Sequence, residues 1–260
     1  MRVFITGGTG FVGKPTVKRL VEGGHQVRCL VRSTSTMGEL KELGCELAYG
    51  DVTDKASVLK GIEGCEWVVN LANVYSFWEP DRSTYRRVNV EGTRNVVRAL
   101  LAASPAKLVH ISTDYVFWGD KGGYAEEDPV GPVRNYYALS KLASEEVARV
   151  HPNALVIRTS FRPREWPYPV AFTDVYTGQD YVDIIAPEVA LAAYNAQKIP
   201  HDIVHIVTER KSVYELARRR SPGVRPSTRR EAGVDLPEDV SLDARRWQAF
   251  KDSLGSAAFR

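Results

Sequence analysis

The chain has 260 residues, 43% of them hydrophobic and 26% charged, with a formal net charge of +3 at pH 7. A chain of this length buries a large core without disulfides, and so small a charge excludes an electrostatic argument for nucleic acid. No apolar run reaches membrane-spanning length and no secretory leader precedes the first strand, so we expect no membrane partner. Three cysteines without metal-ligand spacing predict reduced thiols in a cytoplasmic protein, and five histidines without carboxylate partners predict no metal site.

A glycine-rich segment follows the first predicted strand, Arg2–Thr6, directly. Residues 6–13 are Thr-Gly-Gly-Thr-Gly-Phe-Val-Gly, and a helix is predicted over residues 11–21. A strand, a glycine turn and a helix N-terminus in this order form the context of the dinucleotide-binding fingerprint. The glycines permit a tight turn, a close approach of backbone to pyrophosphate, and close packing of helix on strand. The residues predicted to bind the cofactor here are Gly7, Thr9, Gly10, Phe11, Val12 and Gly13.

Strands and helices alternate along the first 160 residues. Further strands are predicted at residues 26–31, 46–49, 67–71, 107–112 and 154–159, and helices at residues 85–103, 135–150 and 187–196. This order predicts an α/β fold with a doubly wound parallel (Rossmann) sheet. We assign residues 1–160 to a dinucleotide-binding domain and residues 161–260 to a small substrate-binding part packed on it. Residues 161–182 predict a long loop.

The end of the second strand bears on which dinucleotide binds. An NAD site usually has an acidic residue there, against the ribose hydroxyls. Here the residue is Arg32, followed by two hydroxyl side chains. A guanidinium suits a 2′-phosphate, so NADP is predicted, with NAD as the other possibility. The alternative is that Arg32 stacks on adenine or faces solvent. Asp51, after the third strand, is predicted to meet the adenine amino group or to cap a helix.

Tyr137 and Lys141 are four residues apart within a predicted helix. Residues at this spacing share one helix face. A nearby ammonium favours the phenolate and lowers the pKa of a tyrosine, which enables proton transfer near neutral pH. This pair predicts carbonyl–alcohol chemistry only in combination with the glycine-rich segment, because such pairs occur by chance on many helices.

Hydroxyl side chains stand at the end of the fifth strand, at Ser112 and Thr113. Ligands of doubly wound sheets lie at the carboxyl ends of the strands. One of the two hydroxyls is therefore predicted to hydrogen-bond the substrate oxygen that Tyr137 protonates. A polar strand end leading into a loop is the alternative.

Six segments resemble the extended short-chain dehydrogenases/reductases, the NAD-dependent epimerase/dehydratase superfamily, in the family's order. They are Thr-Gly-Gly-Thr-Gly-Phe-Val-Gly (6–13), Asp-Val (51–52), Asn-Leu-Ala (70–72), Val-Asn-Val-Glu-Gly-Thr (88–93), Ser-Thr-Asp-Tyr-Val-Phe (112–117) and Tyr-Tyr-Ala-Leu-Ser-Lys (136–141). The fifth segment is most similar to the dTDP-4-dehydrorhamnose reductases. The chain departs from the family's pattern at two places. Arg32 replaces the acidic residue that the family usually has after the second strand, and residues 70–73 are Asn-Leu-Ala-Asn, where the family usually has His or Asn-Ala-Gly.

The resemblance implies a role for several individual residues. Thr113 corresponds to the catalytic hydroxyl, and Tyr137 with Lys141 to the proton couple. Asn89 corresponds to the helix asparagine of the family's proton relay, and Asp114 to an acidic residue near the substrate. The cofactor is further expected to contact Val52, Leu71, Ala72 and Asn73.

Past the sixth strand, arginines and aromatic residues cluster in the sequence. Arg162 and Arg164 are suited to a substrate diphosphate, and Trp166 to stacking on a base or sugar. A packed aromatic lid with solvated arginines is the equal alternative.

The sequence as a whole predicts an NAD(P)-dependent oxidoreductase that reduces a keto group of a sugar or nucleotide sugar. The alternatives are a nucleotide-sugar epimerase or dehydratase that retains its cofactor, and a non-catalytic dinucleotide sensor. A homodimer is compatible with the sequence, which does not itself fix the oligomeric state.

Overall fold

The computed structural model describes residues 1–75, 79–103 and 107–255. Its strands are β1 (Arg2–Thr6), β2 (Gln26–Val31), β3 (Glu46–Tyr49), β4 (Trp67–Asn70), β5 (Lys107–Thr113), β6 (Ala154–Thr159), β7 (Phe161–Arg162), β8 (Val170–Phe172), β9 (Tyr176–Thr177), β10 (Asp180–Tyr181), β11 (Ile203–Ile206), β12 (Lys211–Ser212) and β13 (Arg225–Ser227). Its α-helices are α1 (Gly13–Glu22), α2 (Gly38–Glu42), α3 (Lys55–Ile62), α4 (Arg82–Tyr85), α5 (Gly92–Ala103), α6 (Tyr136–Arg149), α7 (Val182–Tyr194), α8 (Val213–Arg218), α9 (Arg229–Ala232) and α10 (Arg245–Leu254). Of the helices in these ranges, none is long and apolar enough to span a bilayer.

A seven-stranded sheet in the order β11-β6-β5-β4-β1-β2-β3 is the central element. The pairs β1–β2, β1–β4, β2–β3 and β4–β5 are parallel. Strands β4 and β5 are buried along their whole length, as expected for a parallel sheet covered on both faces. The strand order reverses between β1 and β4, which is where doubly wound sheets bind their ligands. The predicted α/β fold with a doubly wound parallel sheet is confirmed.

The chain divides into two compact units, and each contains segments that are distant in sequence. Unit 1 comprises Met1–Ser112, Arg134–Ile157 and Ala186–Ile203, and unit 2 comprises Thr113–Val133, Arg158–Ile185 and Val204–Arg260. The core of unit 1 includes Phe4, Val58, Val68, Leu100 and Leu108. A separate apolar cluster of unit 2 is formed by Ala171, Val175, Val213, Ala217 and Val224. The boundary after residue 160 stays a prediction.

Several predicted elements differ from those observed. The segment 161–182 is not a continuous loop, because it contains β7, β8, β9 and β10, which pair with one another or with β12 and β13. The predicted helix over residues 85–103 starts earlier and contains a π-helical turn at Arg86–Glu91. Helix α7 begins at Val182 rather than at Pro187, which lies inside it. Strand β11 (Ile203–Ile206) was not predicted.

Candidate functional site

In the loop after β1, the backbone conformation and the close contacts of Gly7 and Gly13 leave no room for a side chain. Gly7 has a φ of +73°, in the left-handed region, and a Cβ on it would lie 2.7 Å from the Ala72 nitrogen. A Cβ on Gly13 would clash with the carbonyl oxygen of Gly7. The loop thus approaches both the end of β4 and the start of α1 too closely for any side chain. This is the backbone that a dinucleotide cradle requires.

The start of α1 is suited to an anion. The helix has no side-chain cap and no acidic residue in its first turn. In its first turn, the backbone nitrogen of Lys14 donates to the Gly10 carbonyl at 3.1 Å, and Pro15 has no N–H. The positive end of the helix dipole is therefore the feature of this helix end that favours an anion. Within the loop, Thr9 is half-buried, Phe11 is exposed and Val12 is buried. An uncapped helix end behind a glycine turn fits the pyrophosphate of a dinucleotide.

Arg32 follows β2 in a tight turn. Its backbone nitrogen donates a hydrogen bond to Ser35 Oγ at 3.1 Å, and its carbonyl accepts one from the Ser35 nitrogen at 3.0 Å. The side chain is exposed. The turn thus holds a guanidinium at the end of β2 in reach of solvent or ligand.

Asp51 stabilises the turn after β3. Its Oδ1 accepts hydrogen bonds from the backbone nitrogen of Thr53 at 2.9 Å and from Thr53 Oγ1 at 2.7 Å. The alternative role as a helix cap is wrong, because Asp54 caps α3 by accepting from Ala56 and Ser57. Contact of Asp51 with adenine stays a prediction.

The segment after β4 is fixed against β1. The backbone nitrogen of Leu71 donates to the Thr6 carbonyl at 3.1 Å, and that of Ala72 donates to Thr6 Oγ1 at 3.2 Å. Asn73 Nδ2 donates to the Leu71 carbonyl at 3.1 Å. This places residues 71–73 beside the glycine loop. Val52, by contrast, is only 6% exposed and packs in the core of unit 1.

Helix α6 carries the predicted proton couple on one face. Asn135 starts the helix by accepting a hydrogen bond from the Ala138 nitrogen. Tyr137 is buried, and its ring makes an edge contact with Tyr85, with ring centres 6.5 Å apart. Lys141 follows one turn later and is 2% exposed. The helix thus places both side chains in the interior of unit 1.

The ammonium of Lys141 is held inside the protein. Its Nζ donates a hydrogen bond to the carbonyl oxygen of Ile111 on β5, at 2.7 Å. Burial lowers the pKa of Lys141 to about 8, while the negative charge of Glu145 acts in the opposite direction. Lys141 therefore remains mostly protonated at neutral pH and can favour a nearby phenolate.

Asn89 lies in the π-helical turn between α4 and α5 and is almost fully buried. Its amide exchanges two hydrogen bonds with the backbone of Val74, at 2.7 and 3.1 Å. The same Nδ2 donates to Ser140 Oγ on α6 at 2.8 Å. Asn89 therefore ties the segment after β4 to the helix of Tyr137 and Lys141. Wide turns of this kind are frequent at functional sites.

At the end of β5, the two hydroxyls have different partners. Ser112 Oγ donates to Glu145 Oε2 at 2.8 Å, within unit 1. Thr113 Oγ1 donates to Asp114 Oδ1 at 3.0 Å, within unit 2. Burial raises the pKa of Asp114 to about 7, although hydrogen bonds from Thr113 and Ser160 oppose the shift. The other oxygen of Asp114, Oδ2, is buried and has no hydrogen-bond partner in the described ranges.

The residues predicted to contact substrate differ in environment within unit 2. The guanidinium of Arg162 lies 5.1 Å from the centre of the Trp166 ring, and its buried Nε has no hydrogen-bond partner among the described residues. Arg164 is exposed. Trp166 packs edge-on against Tyr168 and donates from Nε1 to the Val170 carbonyl. The packing of Trp166 agrees with the packed-lid alternative, and of the two arginines Arg164 is exposed while Arg162 is half-buried.

Ser140 and Glu145 were not predicted as participants in the site. Ser140 bonds to Asn89 and to the carbonyl of Tyr137, and Glu145 is fully buried beside Lys141. The spacing of Glu145, four residues after Lys141 on the same helix face, could have identified it from the sequence.

No cluster of three or more His, Cys, Asp or Glu residues suited to a metal occurs in residues 1–75, 79–103 and 107–255.

The doubly wound sheet, the glycine cradle and the Tyr–Lys pair define a dinucleotide-binding protein of the short-chain dehydrogenase/reductase class. Comparison with known proteins gives the same assignment. Residues 3–162, more than half of the chain, match the NAD dependent epimerase/dehydratase family, to which the chain belongs. Members and structural neighbours of this family are NAD(P)-dependent reductases, epimerases and dehydratases.

Individual relatives include reductases. A putative dihydroflavonol 4-reductase of Synechocystis sp. is 34% identical over 149 residues, covering 56% of this chain and 43% of that protein. A dTDP-4-dehydrorhamnose reductase of Mycolicibacterium smegmatis is 33% identical over 195 residues, covering 74% and 51%. The chain thus spans about half the length of these curated relatives. The crystal structure of a hypothetical dTDP-4-dehydrorhamnose reductase from Sulfolobus tokodaii has a TM-score of 0.77 at 28% identity and covers 96% of this chain and 94% of that one.

Proposed function

We propose that this protein is an NADP-dependent oxidoreductase that reduces a keto group of a sugar or nucleotide sugar. The observation that carries the proposal is the buried ammonium of Lys141, held at the Ile111 carbonyl one helical turn from Tyr137. Burial of a charged amine is costly, so its retention one helical turn from a tyrosine supports a functional use. The glycine cradle and uncapped helix α1 support the dinucleotide part of the proposal.

Four polar side chains have a proposed role in the proton transfer, those of Tyr137, Lys141, Thr113 and Asn89. Tyr137 donates its phenolic proton to the carbonyl oxygen of the substrate, and the positive charge of Lys141 stabilises the phenolate that remains. Thr113 orients the same oxygen by a hydrogen bond. Asn89 maintains the position of α6 through its bond to Ser140. The bound nicotinamide cofactor supplies the hydride.

NADP is proposed over NAD because a guanidinium, and no carboxylate, follows β2 at Arg32. A 2′-phosphate would accept charge-assisted hydrogen bonds from this side chain. Titrating the protein with NADPH and with NADH tests the preference. Equal or tighter binding of NADH would exclude it.

On the substrate side, Asp114, Arg162, Arg164 and Trp166 are proposed contacts. Asp114 Oδ2 and Arg162 Nε are buried without a hydrogen-bond partner among the described residues. Because buried polar atoms normally have partners, Asp114 is proposed to accept from a sugar hydroxyl and Arg162 to donate to a hydroxyl or phosphate oxygen. An arginine fork matches a diphosphate. Replacing Arg162 and Arg164 singly by alanine should therefore raise KM for a nucleotide sugar more than for the free sugar. An equal rise for both substrates would show that neither arginine recognises the diphosphate.

The decisive experiment follows NADPH absorbance while candidate ketones are added. The panel comprises a dTDP-4-keto sugar, the corresponding free keto sugar and a 2-alkyl-3-oxoalkanoate, because other relatives bear the name 2-alkyl-3-oxoalkanoate reductase. Stoichiometric oxidation of NADPH with a keto sugar is the expected result. Conversion of a nucleotide sugar without net loss of NADPH would indicate an epimerase or dehydratase. Tight cofactor binding without turnover of any ketone would indicate a sensor.

A further inference from the structure

His110 lies in the middle of β5, and both nitrogens of its ring have partners within unit 1. Nδ1 lies 3.1 Å from Nδ2 of Asn70, the register partner of His110 on β4. Nε2 lies 3.3 Å from Ser144 Oγ on α6. Each of the three residues is at most 2% exposed. Distances alone do not show which ring nitrogen carries a hydrogen, but the neighbouring hydrogen bonds do.

The hydroxyl of Ser144 determines the state of Nε2. Ser144 Oγ donates a hydrogen bond to the carbonyl oxygen of Lys141 at 2.9 Å. A serine hydroxyl has one hydrogen, so Ser144 must accept the bond that joins it to His110. Nε2 therefore carries a hydrogen.

The amide of Asn70 determines the state of Nδ1. Thr93 Oγ1 donates its one hydrogen to the Asn89 carbonyl at 2.7 Å, so it must accept the bond from Asn70, at 3.2 Å. The amino group of Asn70 consequently faces Thr93 and His110, with one hydrogen for each. The amide oxygen of Asn70 accepts from Thr6 Oγ1 at 2.6 Å. Nδ1 of His110 is therefore an acceptor without a hydrogen.

A second proton on the His110 ring would be unfavourable. It would set an Nδ1–H group against the amino hydrogens of Asn70, donor against donor. Burial lowers the pKa of His110 well below its usual value, and the positive charge of Lys141 acts in the same direction. The imidazole is thus neutral, with its hydrogen on Nε2.

These hydrogen bonds form a continuous path from the glycine loop to α6. At the loop, the Ala72 nitrogen, which a Cβ on Gly7 would approach to 2.7 Å, donates to the first side chain of the path. At α6 the path ends on the carbonyl oxygen of Lys141. It passes through four buried polar side chains, those of Thr6, Asn70, His110 and Ser144.

Strand β5 holds Lys141 at both ends of the residue. The ammonium donates to the carbonyl oxygen of Ile111, and the carbonyl of Lys141 is reached from His110, the preceding residue of β5, through Ser144. Loss of the second connection would leave the ammonium bonded but free the turn of α6 to shift. Proton transfer is sensitive to displacements of this kind.

We propose that His110 is a positioning residue for the proton transfer, which holds the turn of α6 that carries Lys141 through a hydrogen bond from its neutral ring to Ser144. The proposal rests on the proposed function, in which Lys141 stabilises the phenolate of Tyr137. His110 itself exchanges no proton with the substrate.

Nitrogen-15 NMR of histidine-labelled protein tests the state of the ring. The resonances of His110 are identified by their absence from the spectrum of His110→Gln. We expect a protonated Nε2 and an unprotonated Nδ1, at neutral and at mildly acidic pH alike.

Steady-state oxidation of NADPH with the active ketone tests the positioning. Ser144→Ala should lower kcat by about 10–100-fold with little change in KM, as expected when a catalytic group is displaced. His110→Asn can still accept from Asn70 but is too short to reach Ser144, so it should lower kcat equally. His110→Gln can reach Ser144 with its amide nitrogen and should retain most of the turnover. A role in stability alone would not give this difference between Asn and Gln.

A variant with both His110→Asn and Ser144→Ala completes a double-mutant cycle. If His110 acts through Ser144, the double variant should be no slower than either single variant. His151→Gln is the matched control and should keep the parental kcat. His151 is another buried histidine of unit 1, just after α6, and its Nδ1 accepts from the backbone nitrogen of Asn153.

The outcomes separate this inference from the proposed function. A hydrogen on Nδ1, or a ring that gains a proton at mildly acidic pH, would overturn the assigned path. Parental kcat in Ser144→Ala, equal losses in His110→Gln and His110→Asn, or additive losses in the double variant would overturn the positioning role. If His110→Asn does not fold, Ser144→Ala and His110→Gln still decide that role. If the parent reduces no ketone, the proposed function fails and the positioning role fails with it, while NMR still decides the state of the ring.

Discussion

The Nζ of Lys141 and the carbonyl oxygen of Ile111 lie 2.7 Å apart, which joins helix α6 to strand β5 inside unit 1. A long flexible side chain is thereby held in one position. Tyr137 is one turn earlier on the same helix, so the two side chains project from one face of α6. The hydrogen bond does not remove the cost of burying the charge, and that cost depends on pH.

Lys141→Met should reveal this cost as a pH-dependent difference in stability. The pKa of Lys141 is about 8 in the folded protein and about 10.4 in an unfolded chain. Between these values the unfolded chain binds more protons, so the parent's free energy of unfolding should rise relative to the variant's by up to about 3 kcal/mol. Below pH 8 the penalty is fully present. Urea denaturation of cofactor-free protein at pH 7 to 10 measures the difference, with the exposed Lys41→Met as the control. A constant difference across this range would contradict the expectation.

Tyr137→Phe should lower turnover by roughly 10²–10⁴, the usual contribution of a positioned acid–base group. Folding and cofactor binding should change little, because the ring that contacts Tyr85 is retained. Steady-state oxidation of NADPH with the active ketone measures the effect. Tyr136→Phe is the matched control on the same helix, since Tyr136 is 49% exposed. Turnover within a few-fold of the parent would remove Tyr137 from the mechanism.

Gly13→Ala should destabilise the protein and weaken dinucleotide binding. The added methyl clashes with the carbonyl of Gly7, and overpacking of this kind costs about 1–3 kcal/mol. Gly38→Ala, at the start of α2, is the matched control because its methyl meets no atom within 4 Å. Thermal unfolding and NADPH titration compare the two variants. Equal melting temperatures would show that the loop can move to accept a side chain.

Six of the seven strands of the central sheet, β1 to β6, were predicted, because most of them are short apolar runs bounded by turn residues. The limits of β1, β2, β3 and β6 agree with prediction, since period and composition are local properties. The short strands from β7 to β10 were missed because they pair with distant segments such as β12 and β13. Strands of two or three residues have no periodicity of their own.

In the candidate site, too, the local motifs were predicted and the contacts between distant segments were not. The glycines and the Tyr137–Lys141 pair form local motifs, so their elements could be placed from sequence alone. The partners of Lys141 could not, because Ile111 lies 30 residues away and contributes only a backbone carbonyl. The packing of Cys29 Sγ, 3.0 Å from where a Cβ on Gly8 would lie, similarly depends on how β2 packs beneath the loop. Such contacts leave no pattern in one sequence.

Arg32→Ala should weaken binding of NADPH by about 1.5–3 kcal/mol, as expected for a lost hydrogen bond to a charged group. Binding of NADH should change little, because NADH has no 2′-phosphate. Calorimetric titration of both cofactors measures the two losses. Lys41→Ala, which removes another exposed positive charge of unit 1, should affect neither. Equal losses for NADPH and NADH would mean that Arg32 contacts adenine or stabilises its own turn.

Asp114→Asn should alter how the free energy of unfolding depends on pH. The pKa of Asp114 is raised by folding, whereas folding lowers the pKa of an ordinary paired carboxylate, so the two kinds of group affect stability in opposite directions as the pH rises. Burial raises the pKa of Asp114 to about 7, whereas an unfolded aspartate has a pKa of about 3.9. Between these values the folded protein binds more protons, so its stability falls as the pH rises from about 4 to 7. The neutral amide has no such dependence.

Relative to the parent, Asp114→Asn should therefore gain up to about 4 kcal/mol between pH 4 and pH 8, measured by urea denaturation without substrate. Asp120→Asn is the control, and its effect on the pH dependence of stability should have the opposite sign. Asp120 is exposed and accepts a hydrogen bond from the Tyr124 hydroxyl, which lowers its pKa. Its contribution is present above the unfolded pKa and is lost as the pH falls through the folded value. A parallel pH profile for Asp114→Asn and the parent would mean that Asp114 is ionised and stabilised by a partner, which would remove the argument for its unpartnered oxygen as a substrate contact.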